Sequence, residues 1–256
     1  MKLIPLFCLF TFTISAHIVF SQNTSSPDPL YHICLGGQNY SSSYGTNLQA
    51  LFSSFSVTVP PTGFGLGSIG EGADRINGFG LCRGDVEYHD CNTCLATATS
   101  EIHKRCPYNK GAVIWYDNCA VKYSDEKFFG KIDGTNKVYL LNVNNVSDPN
   151  AFNKKVRYLI TSLSEKAVVP SMNLFATGEV ALGGYSDEKL YGLVQCSRDL
   201  SSSDCKKCLD DALNELPNCC EGKRGGRVIG GSCNIRYELY PFVRLKVITY
   251  RSSVVP

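Results

Sequence analysis

The chain has little net charge, few histidines and few long apolar runs. Its 256 residues hold 25 Lys and Arg against 23 Asp and Glu, which leaves +2. Proteins that grip phosphate backbones concentrate basic residues, so nucleic acid is not a partner class the composition suggests. The four histidines, His17, His32, His89 and His103, follow no repeat, which leaves no four-ligand zinc set and no recurring general base. No Gly-x-Ser-x-Gly, Walker loop or His-Glu-x-x-His occurs, so the known signatures of hydrolase, nucleotide and metalloprotease sites are missing. The chain therefore reads as a non-enzyme with no cofactor and no metal. Beyond the first twenty residues no apolar run reaches the ~20 residues of a membrane span. The tail, residues 246–256, carries Lys246 and Arg251 and does not resemble a lipid-anchor signal.

Cysteine is abundant: 13 residues, against two methionines and one tryptophan. That usage suits an oxidising compartment. Lys2 followed by the apolar stretch Leu3 to Phe20 reads as a secretory signal peptide over residues 1–21, which places the mature protein outside the cell. Its removal takes away Cys8 and leaves an even twelve. Sequons at Asn23, Asn39 and Asn145 agree with export and predict a glycoprotein.

The cysteines are written twice. Cys82, Cys91, Cys94, Cys106 and Cys119 map onto Cys196, Cys205, Cys208, Cys220 and Cys233 at a constant offset of 114. Gly111 and Gly225, Tyr123 and Tyr237, and Phe128 and Phe242 keep the same offset. Two homologous domains follow, over residues 28–132 and 138–245, joined by the short stretch Gly134 to Lys137, which predicts a rigid pair. In each, a stripe such as Cys205, Cys208, Leu209, Ala212, Leu213 and Leu216 draws one helix face. Asp90, and Ser203 or Asp204, are the expected caps of these helices, and Pro217 the expected stop. An earlier helix is predicted around Leu48 to Phe55 and Val156 to Leu163. The runs from Gly111 and Arg227 form hairpins with those from Cys119 and Cys233, and the glycine-rich Gly63 to Gly72 reads as a flexible connection. The predicted fold is α+β: two tandem domains, each a small antiparallel sheet with two helices packed on one face, stapled by disulfides.

The doubled C-x8-C-x2-C motif, Cys82 to Cys94 and Cys196 to Cys208, resembles the ginkbilobin-2-homologous (DUF26) domain. Two copies behind a signal peptide resemble the plant cysteine-rich repeat secretory proteins, a resemblance that narrows the extracellular space to the apoplast, and the same tandem forms receptor-like kinase ectodomains. The resemblance implies the pairs Cys82–Cys91, Cys94–Cys119, Cys34–Cys106, Cys196–Cys205 and Cys208–Cys233. The second domain departs from the pattern: Leu141-Asn142 stands where the first cysteine belongs, and Cys219 is added beside Cys220. A vicinal disulfide, two thiols or another partner all remain open for this pair.

The resemblance also implies a site. The founding ginkgo member is antifungal and binds mannose through an Asn, an Arg and a Glu. Those positions hold Leu35, Val113 and Ser124 in the first domain, but Asn142, Arg227 and Glu238 in the second. A carboxylate, an amide and a guanidinium can share the hydroxyls of a hexose; equally, Arg227 and Glu238 on neighbouring strands can form a plain cross-strand ion pair. The reading is a lectin-like recognition module of plant defence or cell-surface signalling, with cell-wall or fungal glycans as partners. Its alternatives are a protein partner of receptor-like kinase ectodomains and, more remotely, a thiol oxidoreductase.

Overall fold

The computed structural model describes residues 28–37, 39–183 and 187–244. The signal peptide, Asn23 and the tail over 246–256 lie outside them. Two five-stranded antiparallel sheets carry two helices each. The first contains β1 (Tyr31–Leu35), β2 (Phe64–Ile69), β3 (Ile76–Cys82), β4 (Gly111–Trp115) and β5 (Cys119–Ser124), in the order β1-β4-β5-β3-β2. Its helices are α1 (Ser42–Thr58) and α2 (Tyr88–Arg105). The second contains β6 (Lys137–Leu141), β7 (Phe175–Ala181), β8 (Lys189–Cys196), β9 (Gly225–Gly230) and β10 (Cys233–Glu238), in the matching order β6-β9-β10-β8-β7. Its helices are α3 (Pro149–Ala167) and α4 (Ser202–Cys220). The repeat thus extends to strand register: Cys34 lies opposite Ala112 in one sheet and Leu141 opposite Gly226 in the other.

The C-x2-C cysteines sit one helical turn apart, on the face of α2 and α4 that meets the sheet. From α2, Cys91 joins Cys82 at the end of β3 and Cys94 joins Cys119 at the start of β5; from α4, Cys205 joins Cys196 and Cys208 joins Cys233. Cys34 of β1 is bonded to Cys106, and Cys219 to Cys220. Around these staples lie two cores of similar composition, Leu48, Leu51, Phe55, Leu95 and Ile102 in the first and Val156, Leu159, Leu163, Leu209 and Leu213 in the second.

Several local expectations are corrected. The caps are Ser201, whose Oγ accepts from the Asp204 amide, and Glu87, which makes no side-chain cap bond; Ser203, Asp204 and Asp90 lie inside the first turns. Helix α4 runs through Pro217 to Cys220. A proline this near the end, itself exposed, forfeits little more than the one bond its amide would have made to Leu213 O. Gly63 to Gly72 is no flexible connection, because β2 pairs with β3 along its whole length. Its glycines admit the helix above: a Cβ on Gly67 would stand 3.2 Å from Leu51 Cδ1, and one on Gly78, opposite in β3, 2.8 Å from Leu51 Cδ2. Glycine here brings helix and sheet into close contact.

Each sheet also has a buried second face. Val113 and Trp115 of β4 alternate with the helix-facing Ala112 and Ile114, and they pack with Ile229 of β9 between the sheets. The two sheets are therefore stacked face to face with helices outside. Polar contacts seal the junction. Gln195 Nε2 donates to Cys82 O at 3.0 Å, the Gly130 amide to Asp199 Oδ2 at 2.9 Å, and Lys122 to Asp133 at 2.7 Å on the stretch that links the units.

Candidate functional site

Asn142 follows β6, Arg227 lies in β9 and Glu238 ends β10, and the antiparallel order β6-β9-β10 brings all three to one end of the second sheet. They line a single recess of about 340 Å³ together with Gly225, Gly226, Arg236 and Tyr240, closed on one side by Leu30 and Asp117 of the first repeat. That size is sufficient for a small ligand.

Backbone hydrogen bonding fixes Asn142, whose amide donates to Gly225 O at 2.9 Å while its Oδ1 accepts from the Asn144 amide at 2.9 Å. Glu238 lies opposite Gly225, and a Cβ on that glycine would collide with the carboxylate, so Gly225 leaves the space that Glu238 fills. The predicted cross-strand pair of Arg227 with Glu238 is not formed. Register places Arg236, not Glu238, opposite Arg227. Glu238 Oε1 accepts instead from Arg236 Nε at 3.1 Å, two residues away on the same strand face.

Arg227 points toward the sister sheet and is only 7% exposed. Its Nε donates to Asn234 Oδ1 at 3.0 Å and its Nη1 to Asp117 Oδ1 at 2.8 Å. Burial lowers its pKa to about 10, with Asp117 opposing the fall, so it remains a cation at neutral pH. Asp117, in the turn between β4 and β5, also accepts from Arg236 Nη1 at 3.0 Å and from Arg83 Nη1 at 3.2 Å. Burial alone would raise the pKa of its carboxyl; the three guanidinium groups, Arg227 foremost, outweigh this and hold it below the ordinary range.

At the equivalent positions of the first repeat, the described residues Leu35, Val113 and Ser124 form no such set. Val113, equivalent to Arg227, is fully buried in the apolar contact between the sheets, with Leu35 packed beside it, and Ser124 Oγ accepts from the Glu126 amide. His32, Cys34 and Cys106 approach one another, but the two sulfurs are bonded together, which leaves the imidazole alone. Asn39 is exposed in left-handed backbone, φ 74°. Asn145 is exposed beside the recess, and its Oδ1 accepts from Lys223 Nζ at 2.8 Å.

Sequence reasoning missed Asp117, Arg236 and Tyr240. Asp117 belongs to the other repeat, and no local pattern links it to Arg227, 110 residues away. Arg236 carried a signal, since it lies two residues before Glu238 in a strand and therefore on its face.

Comparison with known proteins agrees with this architecture. The family model described as salt stress response/antifungal matches twice, over residues 33–126 and 141–240. An antimicrobial ginkbilobin-2-like protein of Castanea crenata is 58% identical, covering 84% of this chain and 89% of the relative. Cysteine-rich repeat secretory protein 38 of Arabidopsis thaliana is 50% identical, covering 94% and 95% respectively. Among solved structures, the tandem DUF26 ectodomain of the Arabidopsis thaliana cysteine-rich receptor-like protein PDLP8 shares the fold with a TM-score of 0.73 at 23% identity, covering 83% of this chain and 98% of that one. No helix among the described residues is long and apolar enough to cross a membrane. With two matched repeats, six disulfides and close relatives named as secretory proteins, the chain belongs to the salt stress response/antifungal (DUF26) family as a secreted, cysteine-rich tandem-repeat protein.

Proposed function

We propose that the protein is a noncatalytic recognition protein of plant defence that binds mannose-type glycans, of the cell wall or of fungi, in the recess at the end of the second sheet. The observation that carries this reading is the meeting of Asn142, Arg227 and Glu238 in one cavity. Among the described residues, Asn142 Nδ2, Arg227 Nη2 and Glu238 Oε2 make no hydrogen bond within the protein, whereas the other polar atoms of these side chains do. An acceptor and two kinds of donor are thus free for adjacent hydroxyls. Tyr240, 49% exposed, offers an aromatic flank to the apolar face of a pyranose. The antimicrobial name of the Castanea crenata relative supports a role in defence. Both carboxylates of the recess are held by arginines, an arrangement that suits holding a ligand better than moving protons.

Calorimetric titration of deglycosylated protein with mannose oligomers tests the proposal. Glu238→Gln keeps the shape and removes the charged acceptor, so affinity falls by roughly 1.5–3 kcal/mol, about ten- to a hundredfold. Arg227→Lys also weakens binding, because the planar fork is lost, but it loosens the contact with Asp117 as well. Equal affinity in wild type and Glu238→Gln discards the site; absence of glycan binding hands the function to interaction with receptor ectodomains.

A further inference from the structure

The disulfide Cys219–Cys220 differs from the other five in what it joins. Those five close segments of 9, 25 or 72 residues, so each restricts the unfolded chain and stabilises the fold. By linkage, the fold favours the oxidised form of each by the same amount. Cys219–Cys220 has a sequence separation of 1. It restricts almost nothing in the unfolded chain, and the fold in turn adds little to its persistence.

Its origin lies in the strand opposite. Cys106 and Cys220 are equivalent, and Cys106 is bonded to Cys34 of β1; at the register position of Cys34, the second sheet has Leu141. Cys220 has no partner there and takes its neighbour. The helix end is anchored by other means. Tyr237 Oη donates to Cys220 O at 2.8 Å and the Lys223 amide donates to the same oxygen at 3.2 Å. Cys220 is 2% exposed, while Cys219 is only half-buried, beside the exposed Pro217 and Asn218. Of the pair, Cys219 is therefore the residue nearer the surface, and its sulfur the one an external thiol would attack.

We propose that Cys219–Cys220 is a reversible thiol–disulfide exchange site for small extracellular thiols of the glutathione class, and that it opens while the five framework disulfides stay closed. A thiolate attacks Cys219 Sγ, forms a mixed disulfide and expels the Cys220 thiolate, which takes up a proton. A second small thiolate attacks the external sulfur of the mixed disulfide and releases Cys219, which is protonated in turn. The protein disulfide gains two electrons and two protons, and two small thiols become one small disulfide; the reverse exchange with that disulfide closes the pair. The site is independent of any sugar.

The test incubates the folded, fully oxidised protein in glutathione buffers of increasing reducing strength, quenches with acid, alkylates and maps the labelled peptides. The first two labels fall on Cys219 and Cys220, and the melting temperature of that species stays within about 4 °C of the oxidised protein. The double variant Cys219→Ser, Cys220→Ala takes no label in the same buffers and melts within the same margin. First labelling at Cys34, Cys106 or another framework cysteine, no labelling before global melting, or a larger fall in melting temperature overturns the proposal.

Discussion

Replacing Asp117 with alanine removes the carboxylate that Arg83, Arg227 and Arg236 share across the junction of the two sheets. The three arginines do not lose equally. Arg83 keeps its two bonds to Asp85, at 2.6 and 3.0 Å, and Arg236 keeps Glu238. Arg227 keeps only Asn234, and at 7% exposure its guanidinium has little access to water. An unpaired, fully buried charge would cost ~3–5 kcal/mol. The Asp117 side chain is 50% exposed, however, so water can enter the space that alanine vacates, and the loss approaches that of one charged hydrogen bond, ~2 kcal/mol. At 2–4 °C per kcal/mol for a protein of this size, melting falls by about 4–8 °C. Asp117→Asn retains one oxygen acceptor and loses less. Scanning calorimetry with all disulfides intact measures both, and amide exchange along β9 should rise in the alanine variant. A shift below about 1 °C would refute the assignment of Asp117 as the tie between the two halves.

Acid should release a second tie. Burial alone would raise the pKa of Asp133, but bonds from Lys122 and Asn136 outweigh it and bring it down to about 2. A carboxyl whose folded value is depressed stabilises fully above its unfolded pKa, near 4, and the contribution, roughly 2 kcal/mol, is lost as pH falls toward 2. Melting temperatures from pH 5 to about 2 should therefore fall less steeply for Asp133→Asn than for wild type; parallel curves would contradict this. Leu141→Cys combined with Cys219→Ser should restore to the second repeat the bridge that Cys34 makes in the first. Intact mass should show two fewer hydrogens than the reduced chain has at these sites, and stability should rise by ~2–4 kcal/mol. Free thiols at both positions would show that Leu141 is not the equivalent of Cys34.

Much of this fold is legible in the sequence, because cysteine spacing and helix periodicity report contacts within one repeat. The constant offset of 114 survives as strand register, and the stripe from Cys205 to Leu216 is the buried face of α4. What stayed hidden depends on contacts between repeats. The run Gly111 to Trp115 is buried on both faces, and continuous burial of that kind marks a strand covered on each side; local pattern alone does not name the second cover. The strand within Gly63 to Gly72 was obscured because its glycines serve close approach to α1, not turning. In the recess, Asn142, Arg227 and Glu238 were singled out only through the family resemblance, Arg227 and Glu238 by their spacing from Cys233 and Asn142 by alignment of Phe152-Asn153. Asp117 was not, since it enters the site only through stacking of one sheet on the other.

Amide chemical shifts of isotopically labelled protein, followed while a linear mannose oligomer is added, test the central claim most directly. The account predicts saturable shifts at Asn142, Gly225, Gly226, Glu238 and Tyr240, with none at the equivalent first-repeat positions Leu35, Val113 and Ser124, and loss of the shifts in Glu238→Gln. Unchanged spectra at saturating sugar, or shifts that map away from the end of the second sheet, would contradict it.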